Sequence, residues 1–318
     1  MTDIMQTHST TALSRGLITR LWSAPAQFGA GLLPALKAYG GFKHAGAHDV
    51  GGEPLGRLGS LEVRLARNAA EVRKAQRLRY RVFYKEGGAI ADAATRLARR
   101  DIDAFDAICD HLLVIDHASS DSRRDPAVVG TYRLLPQQIA EKHGGFYTQA
   151  EFDIEPLVKR HPELRFLELG RSCVLPQYRN KRTVELLWHG CWSYVLQRRL
   201  DVMIGCASLD GTDPDALAMP LSFLHHFARA PEAWRTHALP SRHVEMNRLP
   251  KDAINPRAAL RALPPLIKGY LRLGAYIGDG AVIDRQFGTT DVLIILPVSA
   301  INARYIEHFG ADADRHAA

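Results

Sequence analysis

Four groups of charged residues have types and spacings that could do chemistry. Asp103-x-x-Asp106 puts two carboxylates in the acidic stretch Asp101-Ile-Asp103-Ala-Phe105-Asp106. Arg133 stands in Gly130-Thr-Tyr-Arg133-Leu-Leu, and Glu168 and Arg171 lie three apart in Glu-Leu-Gly-Arg-Ser. The fourth group, Arg179-Asn180-Lys181-Arg182-Thr183, follows Leu175-Pro176 where a helical pattern begins. A glutamate in a half-buried cleft has a raised pKa and can take a proton from an attacking amine, directly or through water. The competing role for Glu168 is a buried salt bridge to Arg133 or Arg171. Arg133 could bind a carboxylate through two parallel N–H bonds, or complete the same ion network. Asp103 and Asp106 could hold a second ammonium on a substrate, or pair with Arg79 and pin their loop over a helix. Three cations beside a helix N-terminus form an anion site, or simply a solvated basic turn.

The elements that must position these groups are readable from periodicity. Leu61-Glu-Val-Arg-Leu65 alternates as a strand does. Asn68 is an N-cap with Glu71 as its capping-box partner, opening a helix over 69–86. That helix gathers Val72, Ala75, Leu78, Val82 and Phe83 on one stripe. His111–Ile115 and Val128–Leu135 read as a hairpin, 165–175 as a strand, 183–199 as a helix and 202–207 as a strand. The fold class expected is therefore α/β, a mixed sheet flanked by helices with one βαβ crossover. On a regular strand Glu168 and Arg171 would face opposite ways, unless a bulge intervenes.

Composition narrows the partners. There are 41 Lys+Arg against 34 Asp+Glu, a net charge of +7, which favours an acidic partner. The cations are scattered among the acids without a helix-turn-helix or ribonucleoprotein motif, so no nucleic acid is expected. Cysteines at 109, 173, 191 and 206 contain no C-x-x-C, so reduced thiols are expected. Adjacent His225 and His226 diverge on a helix, no H-E-x-x-H occurs, and no metal is expected. The apolar stretch 17–39 is interrupted by Arg20, Pro25, Pro34 and Lys37, and Val292–Ile301 is half the length of a span and reads as a buried strand and turn. A cytoplasmic protein is expected, with peripheral attachment to the inner face of the cytoplasmic membrane as an option.

The ordered series carries a resemblance. Pro176 leading into Arg179 resembles the acyl-donor loop of the Gcn5-related N-acetyltransferase superfamily, although Arg182 and Val184 occupy its two later glycine positions. Arg79-x-x-Val-Phe83, Asp103-x-x-Asp106, Arg133 and Glu168-x-x-Arg171 together resemble the acyl-homoserine-lactone synthases of that superfamily. Cys109-Asp-His-Leu-Leu-Val, Glu168-Leu-Gly-Arg-Ser-Cys173, Lys268-Gly-Tyr-Leu-Arg-Leu-Gly and Asp284-x-x-Phe287-x-Thr-x-Asp291 resemble more closely the ornithine N-α-acyltransferases of ornithine-lipid synthesis. The resemblance spans about 61–309.

It implies a splayed Gcn5-like sheet at 59–310; residues 1–58 lie outside it and, being rich in Gly, Ala, Ser and Thr, read as an N-terminal extension, partly disordered or on a membrane surface, with 311–318 expected as a disordered tail. It implies transfer of a 3-hydroxyacyl chain from acyl carrier protein to the α-amine of L-ornithine, giving lyso-ornithine lipid. The donor is the acyl-phosphopantetheine of the carrier, and no cofactor is bound. Glu168 is then the base, and backbone N–H groups at Cys173 and Val174 stabilise the oxyanion, with the Cys173 side chain a core thiol. Arg79, Phe83, Asp103, Asp106, Arg133 and Arg171 shape the acceptor site; Arg179, Asn180, Lys181, Arg182 and Thr183 meet the donor. Another amino acid such as glycine is the alternative acceptor. Lactone-type signal synthesis is the other outcome, disfavoured by the added tail over 250–310.

Overall fold

The computed structural model describes residues 54–301 apart from 123 and 124. Within them nine strands form one mixed sheet in the order β1-β2-β3-β4-β5-β6-β9-β8-β7. These are β1 (Gly56–Leu58), β2 (Leu61–Leu65), β3 (Asp110–Ser122), β4 (Asp125–Pro136), β5 (Phe166–Val174), β6 (Val202–Asp210), β7 (His243–Val244), β8 (Tyr276–Asp284) and β9 (Thr289–Pro297). β1 pairs with β2, so the sheet begins three residues before the boundary expected at 59. Residues 1–53 of the expected N-terminal extension, and the tail 311–318, lie outside the described residues.

The longer helices are α1 (Ala69–Tyr80), α2 (Lys181–Arg198), α3 (Ala218–Ala228) and α4 (Pro265–Leu273). Asn68 caps α1 by accepting from the N–H groups of Ala70 and Glu71. Glu71 does not return to Asn68 as expected. Its carboxylate accepts the Arg67 N–H at 2.8 Å and clamps the charged Arg64 of β2 at 2.7 Å. The helical path continues to Glu86, but its last stretch, Arg81–Glu86, widens to a π-turn closed by Gly87 N–H on Val82 O at 2.9 Å. Such a widening often marks a functional site, and here Val82 and Phe83 both reach the cavity described below.

The sheet core is aliphatic on both faces, with Val63, Leu112, Leu113, Val114, Leu134, Leu167, Ile295 and Leu296 fully or almost fully buried. The expected apolar run 292–301 forms buried β9 and a following turn at Val298–Ala300. All four cysteines are free thiols. No helix among the described residues is long and apolar enough to cross a membrane.

Two irregularities create the site. β5 and β6 run parallel but pair only over Phe166–Glu168 with Val202–Ile204. At the end of that pairing Gly205 passes so close that a Cβ would lie 2.3 Å from Leu169 O, and the strands then part. On its other edge β5 carries a bulge. Thr131 and Arg133 of β4, two apart, face Cys173 and Gly170, three apart. The extra residue is absorbed at Arg171, whose φ is +51°, a conformation that costs a non-glycine residue energy and persists where its surroundings enforce it.

Candidate active site

Where β5 and β6 diverge lies a cavity of about 320 Å³. One wall is Glu168–Ser172 and the other Cys206, Ala207, Ser208 and Asp210, with Phe83, Arg133, Tyr147, Leu266, Asp284, Phe287 and Asp291 around them. The bulge answers the question of faces: Glu168 and Arg171 both line this one cavity.

Glu168 is 5% exposed, and its partners are neither Arg133 nor Arg171. Oε2 accepts the Tyr147 N–H at 2.9 Å, and Oε1 accepts the Thr148 N–H at 2.7 Å together with the Thr148 hydroxyl. These donors belong to the short turn Tyr147–Ala150. Burial pushes the Glu168 carboxyl up from its ordinary value, and the Thr148 and Tyr147 bonds partly offset it. The result is a buried carboxyl with a raised pKa, fixed on the cavity wall.

Behind it three arginines and three aspartates neutralise one another. Arg79 is fully buried, with Nε on Asp101 at 2.7 Å and Nη2 on Asp106 at 2.8 Å. Arg133 Nη1 meets Asp103 at 2.6 Å and Asp106 at 3.3 Å. Arg171 reaches Asp103 at 3.2 Å and Asp101 at 3.3 Å, with its guanidinium over the rings of Tyr147 and Phe287. Of the pairings expected with Arg79, Asp106 makes one, while Asp103 pairs with Arg133 and Arg171 instead. Asp106 is held by Arg79, which draws its carboxyl below the usual range against the cost of burial, and Asp103 serves Arg133 and Arg171. Arg79, Asp103 and Asp106 stand outside the cavity lining, whereas Phe83, Arg133 and Arg171 are part of it.

The segment expected to meet the donor opens α2 with a cap. Asn180 accepts the Thr183 N–H at 3.2 Å, and Thr183 is wholly buried, so burial removes it from contact with a donor. Arg179 binds Val174 O at 3.0 Å and approaches Glu86 at 3.5 Å, Lys181 lies 3.8 Å from Glu185, and Arg182 is exposed. None of Arg179–Thr183 lines the cavity. Cys173 is a buried thiol whose pKa burial pushes up, which suits packing rather than attack. Leu175 N–H binds Val129 O on β4 at 2.9 Å, so strand alternation turns the Val174 N–H toward the opposite edge, where β6 has departed.

Sequence reading missed the acidic end. Glu151, Asp284 and Asp291 bring carboxylate oxygens within 4.8 Å of one another, a geometry that suits an ammonium or a metal ion. Burial and then Asp291 push the Glu151 carboxyl up to about 7. Its Oε2 accepts from the Cys206 thiol at 3.2 Å, and Oε1 lies 3.3 Å from Arg242. Burial also raises Asp291, which the Thr289 hydroxyl at 2.9 Å restrains. Asp284 pairs with Thr289 across the β8–β9 hairpin and Asp291 with Val282, so the two acids are diagonal neighbours on one face. The motif Asp284-x-x-Phe-x-Thr-x-Asp291 held that signal; Glu151, far away in sequence, offered none.

Comparison with known proteins places this geometry. Residues 78–189 match the acetyltransferase (GNAT) domain family. The chain is 56% identical over 261 residues to an L-ornithine N(alpha)-acyltransferase of Brucella abortus, covering 82% of this chain and 92% of that protein. It is 55% identical to the protein of the same name from Rhizobium meliloti, covering 82% and 88%. Among solved structures, an N-acyl amino acid synthase from uncultured soil microbes aligns with a TM-score of 0.42 at 9% identity, covering 75% of this chain and 91% of that one. With more than half of the aligned residues identical across nearly the whole of those relatives, and with an acetyltransferase domain around Glu168, this chain belongs to the L-ornithine N(alpha)-acyltransferase family.

Proposed function

We propose that this enzyme transfers an acyl chain from the phosphopantetheine thioester of acyl carrier protein to the α-amine of L-ornithine, the first step toward an ornithine lipid. The acceptor's α-carboxylate faces Arg171 and Arg133, and its side-chain ammonium enters the Glu151–Asp284–Asp291 end. Glu168 takes a proton from the α-amine, directly or through water. The amine nitrogen attacks the thioester carbon, and the oxyanion is met by the Val174 N–H at the open edge of β5. The C–S bond then breaks, the amide remains, and the thiol leaves with the proton. Arg182 and Lys181, outside the cavity, face the acidic carrier.

The observation that carries the acceptor reading is that one cavity is lined by guanidinium at Arg171 and by carboxylates at Asp284 and Asp291, with Glu151 beside those two. A diamino acid offers these carboxylates an ammonium as well as offering Arg171 a carboxylate, whereas glycine has no side-chain ammonium to offer. The test is mass spectrometry of products from acyl carrier protein or acyl-CoA donors with ornithine, norvaline or glycine as acceptor. N-acyl ornithine formed from the carrier-borne chain, with Asp291→Asn raising the KM for ornithine roughly tenfold and leaving norvaline unaffected, is the expected result. Equal use of glycine, or equal use of acyl-CoA, overturns the corresponding half.

A further inference from the structure

Five large hydrophobic side chains stand exposed among the described residues, and three of them fall between positions 90 and 102: Ile90 at 69%, Leu97 at 89% and Ile102 at 47%. This stretch leaves the widened turn through Gly87 and Gly88, which line the cavity. It is tied back to the rim where Ile90 N–H donates to Gln286 O at 2.7 Å, next to cavity-lining Phe287. Bare aliphatic tips therefore project from a segment anchored at the cavity mouth.

The same segment is cationic. Between 81 and 100 the chain carries Arg81, Lys85, Arg96, Arg99 and Arg100 against only Glu86 and Asp92. Both acids are engaged: Asp92 caps the short helix Ala93–Ala98 by accepting the Thr95 N–H at 2.6 Å, and Glu86 lies 3.1 Å from Arg81 and 3.5 Å from Arg179. Lys85, Arg96 and Arg99 are exposed. Aliphatic tips flanked by cations match a lipid–water boundary, where the tips enter the acyl region and the cations meet anionic headgroups. A folded partner needs a pocket for each projecting tip; a bilayer accepts them wherever they point.

We propose that Gly87–Arg100 docks on an anionic bilayer surface and holds the cavity mouth against the lipid. The consequence for catalysis, that an N-acylated single-chain product passes into the membrane without crossing water, rests on the acyltransferase reading above; the docking itself does not.

The experiment compares the full chain with Ile90→Ser/Leu97→Ser, which leaves the charge unchanged, in co-sedimentation with vesicles of phosphatidylcholine alone or mixed with phosphatidylglycerol. Wild type is expected on the mixed vesicles, and the variant about tenfold weaker at the same salt, because two aliphatic side chains no longer leave water. Transfer from a soluble donor without lipid is expected to proceed at the wild-type rate in both. Equal vesicle binding by the two proteins overturns the proposal. So does unchanged vesicle binding with a raised KM for the carrier protein, which assigns the patch to that partner. Weakened vesicle binding beside a wild-type protein that acylates nothing supports the docking and removes the functional reading instead.

Discussion

Thr148 gives one oxygen of Glu168 two hydrogen bonds, its own backbone N–H at 2.7 Å and its hydroxyl. With the Tyr147 N–H on the other oxygen, the carboxylate is fixed in position while burial keeps its proton affinity up. The bonds that hold the carboxylate also oppose the effect of burial on its proton affinity, so Thr148 bears on both its position and its pKa.

Glu168→Gln removes the basic oxygen. Turnover is expected to fall by about 10²–10⁴-fold, measured as thiol release under saturating donor and acceptor. The side-chain amide also presents N–H toward the turn's donors, so a modest loss of thermal stability accompanies it. Near-full turnover would remove Glu168 from the role of base.

Thr148→Val deletes one donor to the ionised carboxylate. The Glu168 pKa rises further, so the acidic limb of the kcat profile is expected to move to higher pH. Thr148→Ser keeps the hydroxyl and should restore the wild-type limb. A pH profile identical in Val and Ser variants would mean that the hydroxyl does not tune Glu168.

Glu151 makes stability depend on pH. Its folded carboxyl titrates at about 7 against an ordinary value of 4.5. The folded state holds a proton that the unfolded chain has already lost, so the stabilisation is complete below about 4.5 and is lost as pH rises through 7. Glu151→Gln is expected to shrink the difference between thermal midpoints at acidic and alkaline pH, read by circular dichroism. An unchanged difference would show that this proton is not held in the fold.

Arg79→Met leaves Asp101 and Asp106 buried beside each other with their chief cation gone. The expected cost is about 3–5 kcal/mol, measured by urea denaturation, and it should shrink when Asp106→Asn is added. Strict additivity of the two substitutions would deny the coupling between them.

Arg182→Ala is expected to raise the KM for acyl carrier protein at low ionic strength and to lose that effect as salt screens the exposed charge. Turnover at saturating donor should not change. A KM indifferent to the substitution at low salt would remove Arg182 from donor docking.

Much of the scaffold was legible because it follows from local pattern. Alternation marked β2 and the hairpin, Asn68 announced α1, and the ordered arginine, aspartate and glutamate motifs pointed to an acyltransferase core. Periodicity also showed that Glu168 and Arg171 could share a face only through a bulge, which the +51° φ of Arg171 and the offset register deliver. What local pattern could not rank were competing partners of comparable energy. Asp103 could serve a substrate or an arginine, and Glu168 could meet Arg133 or something else. Those choices depend on which groups lie within hydrogen-bond reach after folding.

By itself, then, the sequence determined β2 to β6, the buried run of β9, the cap and the identities of the charged residues, since these rest on neighbours along the chain; β1, β7 and β8 carried too little local pattern to be read. Only the tertiary structure decided that the Tyr147–Ala150 turn holds Glu168 and that Asp101 joins Asp103 and Asp106 among the arginines. It also brought Glu151 to Asp284 and Asp291, more than a hundred residues away in the chain. Asp284 and Asp291 are brought together by the pairing of β8 with β9, and Glu151 by the turn at Tyr147–Ala150, so carboxylates that repel one another are held close by the backbone that carries them.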